Sequence, residues 1–314
     1  IMPELVRSPL REVRSRVFDS APWADYQPRE NDIVIATYPK CGTTWTQRIV
    51  SMLLAGSAAP APAWGPWPDF RLGPPPEIAQ AEAEALTGRR YFKSHLPYDA
   101  LPVYEGVRFI HTARDGRDSA MSFHNHLRSF QGEIWDVINQ ISRADPKFGD
   151  GPPDIPEDPG AYFHMWLQDG GAFGDAGVGY WEMERSYWAA RRQPNMLLVH
   201  YNDLKADRAG EIARIARFLE ADPPPATLAA IVEAAGFDQM KAAGETLIPE
   251  AAGIWVGGSQ TFLNKGTNGR WKEVCDAADL AAYHRRVGEE FTPALAAWLE
   301  GGRLTAGEPA SAPD

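Results

Sequence analysis

Residues 38–45, which read Tyr-Pro-Lys-Cys-Gly-Thr-Thr-Trp, have the residue types and spacing of a site that holds a phosphate. A β-branched run precedes them and a helical run follows, so they form a turn between a strand and a helix. At such a turn the free backbone N–H groups of the helix attract an anion. Gly42 permits close approach of the backbone, and Lys40 supplies a full positive charge. Thr43 and Thr44 add hydroxyl donors, and the sequence therefore predicts an anion-binding loop.

The loop differs from the usual nucleoside triphosphate loop. That pattern is Gly-x-x-x-x-Gly-Lys-Ser/Thr, in which the lysine follows the second glycine and the hydroxyl binds magnesium. Here Lys40 precedes the single glycine, Gly42, and Trp45 follows the threonines. An isolated Lys-x-Gly-Thr could also occur in an ordinary turn with an exposed lysine. The full octet directly after a strand favours an anion site instead. The lysine is therefore expected to reach the anion from the opposite side.

Four short apolar runs predict the strands that must position this loop. They lie at residues 33–37, 90–95, 107–113 and 196–201. Helical patterns separate them, which predicts an α/β fold with a central parallel sheet flanked by helices. Ligands bind beyond the carboxyl ends of parallel strands, so side chains just past each strand should share one edge. These side chains are Tyr38, His95, Arg114 and Tyr201.

The overall charge argues against polyanionic partners. The chain has 31 basic and 42 acidic residues and a formal net charge of −11, so nucleic acid and sulfated polysaccharides are poor candidates. Cys41 and Cys275 cannot build a disulfide framework, which fits a reducing compartment. No apolar run reaches the ~18 residues of a membrane span, and residues 1–30 lack the pattern of a signal peptide. We expect a cytoplasmic protein.

The domain organisation is expected to be simple. A chain of 314 residues can bury a large core, and no segment marks an internal boundary. We expect one domain over residues 1–300. Residues 301–314 are small, polar and proline-containing, and this composition predicts a disordered tail.

One of the histidines suits catalysis. His95 lies at a predicted strand end, and a neutral imidazole near pH 7 is a suitable general base. His124 and His126 lie two residues apart and diverge by about 200° on a helix, so they cannot share a metal ion. We expect them on the helix surface or in a pocket lining. His111 lies in an apolar strand and is expected to be a satisfied core residue; no metal site is implied.

Four separated segments stand in order along the chain: residues 38–45, 93–97 (Lys-Ser-His-Leu-Pro), 112–122 (Thr-Ala-Arg-Asp-Gly-Arg-Asp-Ser-Ala-Met-Ser) and 262–272 (Phe-Leu-Asn-Lys-Gly-Thr-Asn-Gly-Arg-Trp-Lys). They resemble motifs of the cytosolic sulfotransferase family, and we expect a bacterial member of it. The resemblance implies a P-loop-like α/β domain that moves a sulfuryl group from 3′-phosphoadenosine-5′-phosphosulfate (PAPS) to a hydroxyl or amine. PAPS would be the co-substrate, a small molecule the acceptor, and no metal would be needed.

The resemblance also implies which residues hold the donor. PAPS carries anionic groups at both ends and needs two cationic sites. Lys40 and its turn would hold the 5′ end. The 3′-phosphate would be held by Arg114, Ser122 and Lys265 with the Gly266 amide. Tyr201 and Phe237 would contact the adenine, where stacking typically contributes ~1–3 kcal/mol per base. The full implied set is Lys40, Cys41, Gly42, Thr43, Thr44, Trp45, Arg114, Ser122, Tyr201, Phe237, Phe262, Asn264, Lys265 and Gly266.

Three residues are the implied catalytic groups. His95 would accept the acceptor proton as the acceptor oxygen attacks sulfur. Lys40 would stabilise charge on the bridging oxygen of the leaving group, and Lys93 would orient the sulfuryl oxygens. The transfer is expected to be in line, by analogy with phosphoryl transfer.

This sequence departs from the family pattern in three places. Asn264 stands where an arginine toward the 3′-phosphate is usual, which removes one cation, and Arg270, where aspartate is usual, is a candidate to compensate. Cys41 replaces a common serine, and a thiol there is expected to be oxidation-sensitive. The family's dimer segment is absent after Trp271, so the oligomeric state stays open.

The acceptor is expected to bind between long loops at residues 56–76, 132–180 and 242–262. These loops are rich in aromatic residues, which suits a lipophilic or aromatic acceptor. The residues are Trp64, Trp67, Phe70, Phe130, Trp135, Phe148, Tyr162, Phe163, Trp166 and Trp255. Two alternatives stay open: a P-loop kinase or nucleotidase, and a nucleotide-binding protein that has lost catalysis.

Overall fold

A computed structural model describes residues 1–171 and 179–314 of the chain. Its strands are β1 (Leu5–Arg7), β2 (Ile33–Ala36), β3 (Tyr91–Ser94), β4 (Val103–Tyr104), β5 (Arg108–Ala113) and β6 (Met196–His200). Four of them form a parallel sheet in the order β3-β2-β5-β6, and β1 pairs antiparallel with β4. The four predicted strands and the parallel sheet are thus confirmed.

Helices cover the sheet and the connections between its strands. They are α1 (Thr43–Ala55), α2 (Pro76–Ala85), α3 (Gly116–Arg128), α4 (Gly132–Ala144), α5 (Pro159–Asp169), α6 (Tyr180–Ala189), α7 (Tyr201–Ala206), α8 (Arg208–Phe218), α9 (Pro225–Ala234), α10 (Phe237–Ala242), α11 (Gly244–Leu247), α12 (Ala251–Ile254), α13 (Gly258–Leu263), α14 (Ala277–Glu290), α15 (Pro293–Gly301) and α16 (Arg303–Ala306). Short 3₁₀ helices lie at Ala21–Asp25, Tyr98–Ala100, Arg270–Glu273 and Pro309–Ser311. No helix within the described ranges combines the length and the apolar composition needed to cross a bilayer.

The central strand β2 is buried on both faces, which explains its unbroken apolar sequence. Because successive side chains alternate, Ile33 and Ile35 pack with α1, α8 and α9 on one face. Val34 and Ala36 pack on the other face, in an aromatic core that includes α3, α5 and α6. Two apolar layers therefore hold the sheet from opposite sides.

The segment at 132–180 is more helical than its sequence suggests, since α4 and α5 both lie in it. Residues 172–178 of this predicted acceptor loop are outside the described ranges. Three of its aromatic residues, Tyr162, Phe163 and Trp166, are fully buried in the core. The expectation that these three line an acceptor cavity is therefore wrong.

Residues 301–314, for which composition predicts a disordered tail, are ordered against the domain. The Arg303 Nη2 atom lies 2.6 Å from Oε1 of the fully buried Glu211. The buried Arg191 donates from Nε to the carbonyl oxygen of Pro309 at 2.9 Å. The segment is thus held in place by two contacts with buried charges of the domain. Its Pro309 carbonyl oxygen accepts from Arg191, and its Arg303 side chain pairs with Glu211.

Replacing Arg303 with glutamine is expected to lower the free energy of unfolding by about 1–3 kcal/mol, since hydrogen bonds to a buried carboxylate are lost. Urea denaturation followed by circular dichroism measures this change. Arg217→Gln is a matched control, because Arg217 is an exposed arginine near the end of α8. The control should change the free energy by less than ~0.5 kcal/mol. An equal effect of both substitutions would contradict the proposed docking of the tail.

Candidate active site

The loop between β2 and α1 has the backbone of a tight anion cradle. Gly42 precedes α1 with φ 100°, a left-handed conformation that favours glycine. A Cβ atom there would lie 3.3 Å from both Thr112 Cγ2 and Tyr201 Cδ2, so the backbone passes close to the two neighbouring strand ends. Lys40 also has a positive φ, 65°. The first N–H groups of α1 have no partner within the helix and point out of its N-terminal end toward this turn.

The Thr43 hydroxyl and the Cys41 thiol point into the protein. Thr43 Oγ1 lies 2.5 Å from Thr37 Oγ1, and Cys41 Sγ lies 3.1 Å from Ser119 Oγ. Cys41 is fully buried, and burial raises the pKa of its thiol. A buried, protonated thiol reacts slowly, so the expected oxidation sensitivity is not supported. Any contact of Thr43 or Cys41 with PAPS would use the backbone N–H group of these residues.

Arg114 follows β5 and lies over this loop. Its guanidinium donates from Nη1 to the carbonyl oxygen of Lys40 at 3.0 Å, and from Nη2 to Asn268 Oδ1 at 2.8 Å and the carbonyl oxygen of Thr267 at 3.1 Å. The Cζ atom lies 4.1 Å from the centre of the Tyr201 ring. All of these partners are neutral, and no carboxylate in the described ranges forms an ion pair with Arg114.

Aromatic rings also lie next to this loop. Tyr201, directly after β6, meets Trp45 edge to face at 5.4 Å between ring centres. Trp45 Nε1 donates to the carbonyl oxygen of Ala235 at 2.8 Å, which fixes the indole. Phe237 packs so closely on Gly266 that a Cβ atom at residue 266 would lie 2.4 Å from the ring. These contacts place three aromatic rings next to the cationic loop.

The late loop at 264–270 lies beside Arg114 and borders a cavity of about 600 Å³. The cavity is lined by Met121, His124, Asn125, Arg128, Glu157, Pro159, Lys265, Thr267, Asn268, Gly269, Arg270, Glu273 and Val274. Ser122 lies on α3 between two of these lining residues, whereas Asn264 is not part of the lining. The carbonyl oxygen of Asn264 instead accepts a hydrogen bond from Lys241 Nζ at 2.5 Å.

His95 follows β3 and has a defined orientation. Its Nδ1 atom lies 2.7 Å from the carbonyl oxygen of Thr37, which can only accept a hydrogen bond, so Nδ1 carries the proton. In the neutral ring Nε2 therefore has the free lone pair. Burial, and next the charge of Lys93, hold the pKa of His95 well below 6.5. The imidazole is consequently neutral at pH 7 and able to accept a proton at Nε2.

Two lysines lie near this histidine, Lys93 buried and Lys40 half-buried. Lys93 Nζ lies 3.7 Å from the centre of the Trp67 ring, and Lys40 Nζ lies 4.3 Å from the centre of the Phe262 ring. Burial lowers the pKa of Lys93 to about 7. Burial, followed by the charges of Arg114 and Lys93, lowers the pKa of Lys40 to about 7 as well. Lowered lysine pKa values of this kind are typical of binding sites for anionic ligands.

Asp69 is a site residue that the sequence analysis missed. It is buried, and its Oδ2 atom accepts hydrogen bonds from the His95 backbone N–H at 3.1 Å and from Trp67 Nε1 at 3.0 Å. Its Oδ1 atom accepts from Trp23 Nε1 at 2.9 Å. The carboxylate thus ties the 56–76 loop to the end of β3 and positions both His95 and the ring over Lys93. The only signal in the sequence was one acidic residue among tryptophans and prolines.

The aromatic residues near Lys40 and Lys93 form a cluster that we call the aromatic box: Trp64, His126, Phe130, Trp255 and Phe262. His126, expected on the helix surface or in a pocket lining, packs inside this box, with its ring centre 5.0 Å from that of Trp255. Burial and the charge of Lys40 hold its pKa well below 6.5. His124 instead faces the carbonyl oxygen of Pro156 at 2.7 Å.

The remaining histidine prediction agrees with the structure. His111 is fully buried, with Nδ1 2.8 Å from the carbonyl oxygen of Ala36 and Nε2 2.8 Å from Glu184 Oε2. It is a satisfied core residue. The described residues hold no group of three or more histidine, cysteine or carboxylate side chains arranged for a metal ion. That no metal is needed stays a prediction.

Comparison with known proteins decides the family. A family model for the sulfotransferase domain matches residues 30–293, which is most of the chain. The chain belongs to the sulfotransferase family. The matched range contains the anion loop, His95, Arg114 and the late loop, so all of these lie within the sulfotransferase domain. The predicted family and the predicted enzyme class are confirmed.

Named relatives of this sulfotransferase include bacterial and animal enzymes. It is 29% identical over 313 residues to the glycolipid sulfotransferase of Mycobacterium bovis (strain BCG / Pasteur 1173P2), covering 92% of this chain and 94% of that protein. It is 27% identical to sulfotransferase 1C2 of Oryctolagus cuniculus, covering 79% of this chain and 78% of that protein. The mycobacterial relatives agree with the expectation of a bacterial member.

Solved structures share the fold of this sulfotransferase. A crystal structure of retinol dehydratase with androsterone and the inactive cofactor PAP superimposes with a TM-score of 0.67 at 21% identity, covering 87% of this chain and 86% of that one. Mouse sulfotransferase SULT7A1 complexed with PAP gives a TM-score of 0.63 at 19% identity, covering 87% and 89%. The α/β architecture predicted from the sequence is the fold of these proteins.

Proposed function

We propose that this sulfotransferase moves the sulfuryl group of PAPS to a hydroxyl group of a small lipophilic acceptor, with His95 as the general base. The orientation of His95 carries the proposal. Its Nδ1–H is held by the carbonyl oxygen of Thr37 at 2.7 Å, which leaves Nε2 free to take a proton. The ring lies at the sheet edge that also bears the anion loop, with two lysines close by.

The cations of the site fit a donor that is anionic at both ends. Lys40, Lys93 and Lys265 form no ion pair with any described carboxylate, and Arg114 contacts only neutral oxygen atoms. Lys40 and the N-terminal end of α1 would hold the 5′-phosphosulfate, whereas Arg114, Ser122 and Lys265 would hold the 3′-phosphate. Between these two groups, Tyr201 and Phe237 offer rings for the adenine.

Each catalytic residue has one role in this proposal. PAPS supplies the sulfuryl group, whose bond to the 5′-phosphate oxygen breaks while a bond to the acceptor oxygen forms. His95 Nε2 takes the proton that leaves this acceptor oxygen. Lys40 stabilises the charge that grows on the released phosphate oxygen, and Lys93 orients the sulfuryl oxygens. Asp69 and Thr37 keep the base in place.

The aromatic box supports a lipophilic acceptor. It adjoins both lysines, since Phe262 lies against Lys40 Nζ and Trp64 lies 5.0 Å from Lys93 Nζ. Apolar walls around a few polar groups are typical of small-molecule sites. Relatives carry the name glycolipid sulfotransferase, and a neighbour in fold binds androsterone. A hydroxylated lipid or steroid-like molecule is therefore the acceptor class that we favour.

Transfer of ³⁵S from labelled PAPS to a panel of lipid alcohols, sterols, phenols and amines tests the proposal. We expect a labelled product with EDTA present, because the proposed chemistry uses no metal. Magnesium-dependent turnover of ATP without label transfer would instead support a kinase or nucleotidase. Tight PAPS binding without turnover on any acceptor would support a protein that only binds the nucleotide.

A further inference from the structure

Compared with the family pattern, the late loop of this sulfotransferase lacks a cation at residue 264 and has an additional cation at residue 270. Asn264 is uncharged and is not part of the cavity lining beside Arg114. Its backbone, with φ 49° and ψ −129°, is held by the bond from Lys241 Nζ to its carbonyl oxygen. Residue 264 is therefore poorly placed to contact a ligand in this cavity.

Arg270, six residues later, does line the cavity, together with Lys265 and Asn268. It begins the 3₁₀ helix Arg270–Glu273 and is half-buried. Within the part of the chain that the structure describes, its guanidinium makes no hydrogen bond and no ion pair. A half-buried guanidinium has five N–H donors, and those that face the cavity can donate to a bound anion.

The surroundings of Arg270 indicate the sign of that ligand. Arg114 lies near by, and its charge, after burial, lowers the pKa of Arg270. The Asp118 carboxylate, whose charge also acts on Arg270, accepts a hydrogen bond from the Gly269 backbone N–H at 2.7 Å at its Oδ1 atom. Glu157 and Glu273 line the same cavity. Two guanidinium groups thus lie together, and neither forms an ion pair with a carboxylate of residues 1–171 or 179–314. An oxyanion with several acceptor atoms, such as a phosphate, would accept from the unused donors of Arg270 and offset the charge of both groups.

We propose that Arg270 binds the 3′-phosphate of the donor in place of the cation missing at residue 264, and thereby sets the preference for a 3′-phosphorylated nucleotide. This inference rests on the proposed function. It assigns a donor contact to a residue at a position where the family pattern has an acidic one. Arg270 and Arg114 would then hold the phosphate from the loop and from the sheet edge, and Lys265 would lie on the cavity side.

Calorimetric titration with adenosine 3′,5′-bisphosphate and with AMP tests this assignment, because the two probes differ only in the 3′-phosphate. Arg270→Gln should weaken binding of the bisphosphate on the order of tenfold to a hundredfold, as expected for lost charge-assisted hydrogen bonds. Its affinity for AMP should change less than about threefold. Arg270→Lys should give an intermediate loss, since the charge remains but the fork of donors does not.

Lys272→Gln is the matched control, because Lys272 is an exposed cation on the same 3₁₀ helix. It should leave both affinities within about twofold, and thermal melts should show that all variants fold. If Arg270→Gln keeps the wild-type preference for the bisphosphate, this assignment is wrong while the proposed donor stands. If wild-type protein binds AMP as tightly as the bisphosphate, the proposed donor itself fails.

Discussion

Replacing His95 with asparagine is expected to lower kcat by about 10²- to 10⁴-fold, the usual contribution of general base catalysis. The asparagine amide can still donate to the carbonyl oxygen of Thr37, so the fold of the strand end is kept. The donor site lies in other segments, and the Kd for adenosine 3′,5′-bisphosphate should therefore change less than about threefold. Single-turnover assays with labelled PAPS give the rate, and calorimetry gives the Kd.

The pH profile reports the protonation state of His95, whereas the kcat of His95→Asn reports its role as a base. A base acts in its neutral form, and burial with the charge of Lys93 holds the pKa of His95 well below 6.5. The wild-type rate should therefore show no acid limb due to His95 above about pH 6.5. His284→Gln, at an exposed histidine of α14, should behave as wild type. An unchanged kcat in His95→Asn would remove His95 as the base.

The sequence predicted the part of the site that depends on local pattern. Residues 33–37 and 107–113 are apolar and β-branched because both faces of their strands are covered, and this pattern is visible without a structure. Once the strands are parallel, Tyr38, His95 and Arg114 must share an edge. The anion loop followed from the glycine and lysine between a strand and a helix.

The residues that were missed depend on contacts between distant segments. Asp69 holds His95 across 26 positions of sequence, and nothing near Asp69 indicates that partner. His126 lies in the aromatic box only because α3 and the 242–262 segment meet there. Trp166 was expected in an acceptor loop but lies in the core, where its Nε1 atom donates to Tyr38 Oη at 2.8 Å. Aromatic composition alone does not distinguish a pocket wall from a core.

Replacing Lys40 with alanine is expected to weaken binding of adenosine 3′,5′-bisphosphate on the order of tenfold to a hundredfold and to lower kcat as well. Both effects follow because one charge serves the bound donor and the leaving oxygen. Lys272→Ala, an exposed lysine on the late loop, is the matched control and should leave both values within about twofold. Loss of affinity with a normal kcat would limit Lys40 to donor binding.

The pKa of Lys40 makes this contact depend on pH in a defined direction. In the free protein that pKa is about 7, because the group is buried beside Arg114 and Lys93. The ammonium form binds an anion, so affinity should fall as the pH rises through about 7, by up to about tenfold per unit. Binding at pH 8 should accordingly take up protons, which calorimetry in buffers of different ionisation enthalpy measures. The guanidinium of the Lys40→Arg variant stays charged over this range. Ligand binding by this variant should therefore take up fewer protons than binding by the wild type. Equal proton uptake by Lys40→Arg and wild type would mean that another group, such as Lys93, is the one that titrates.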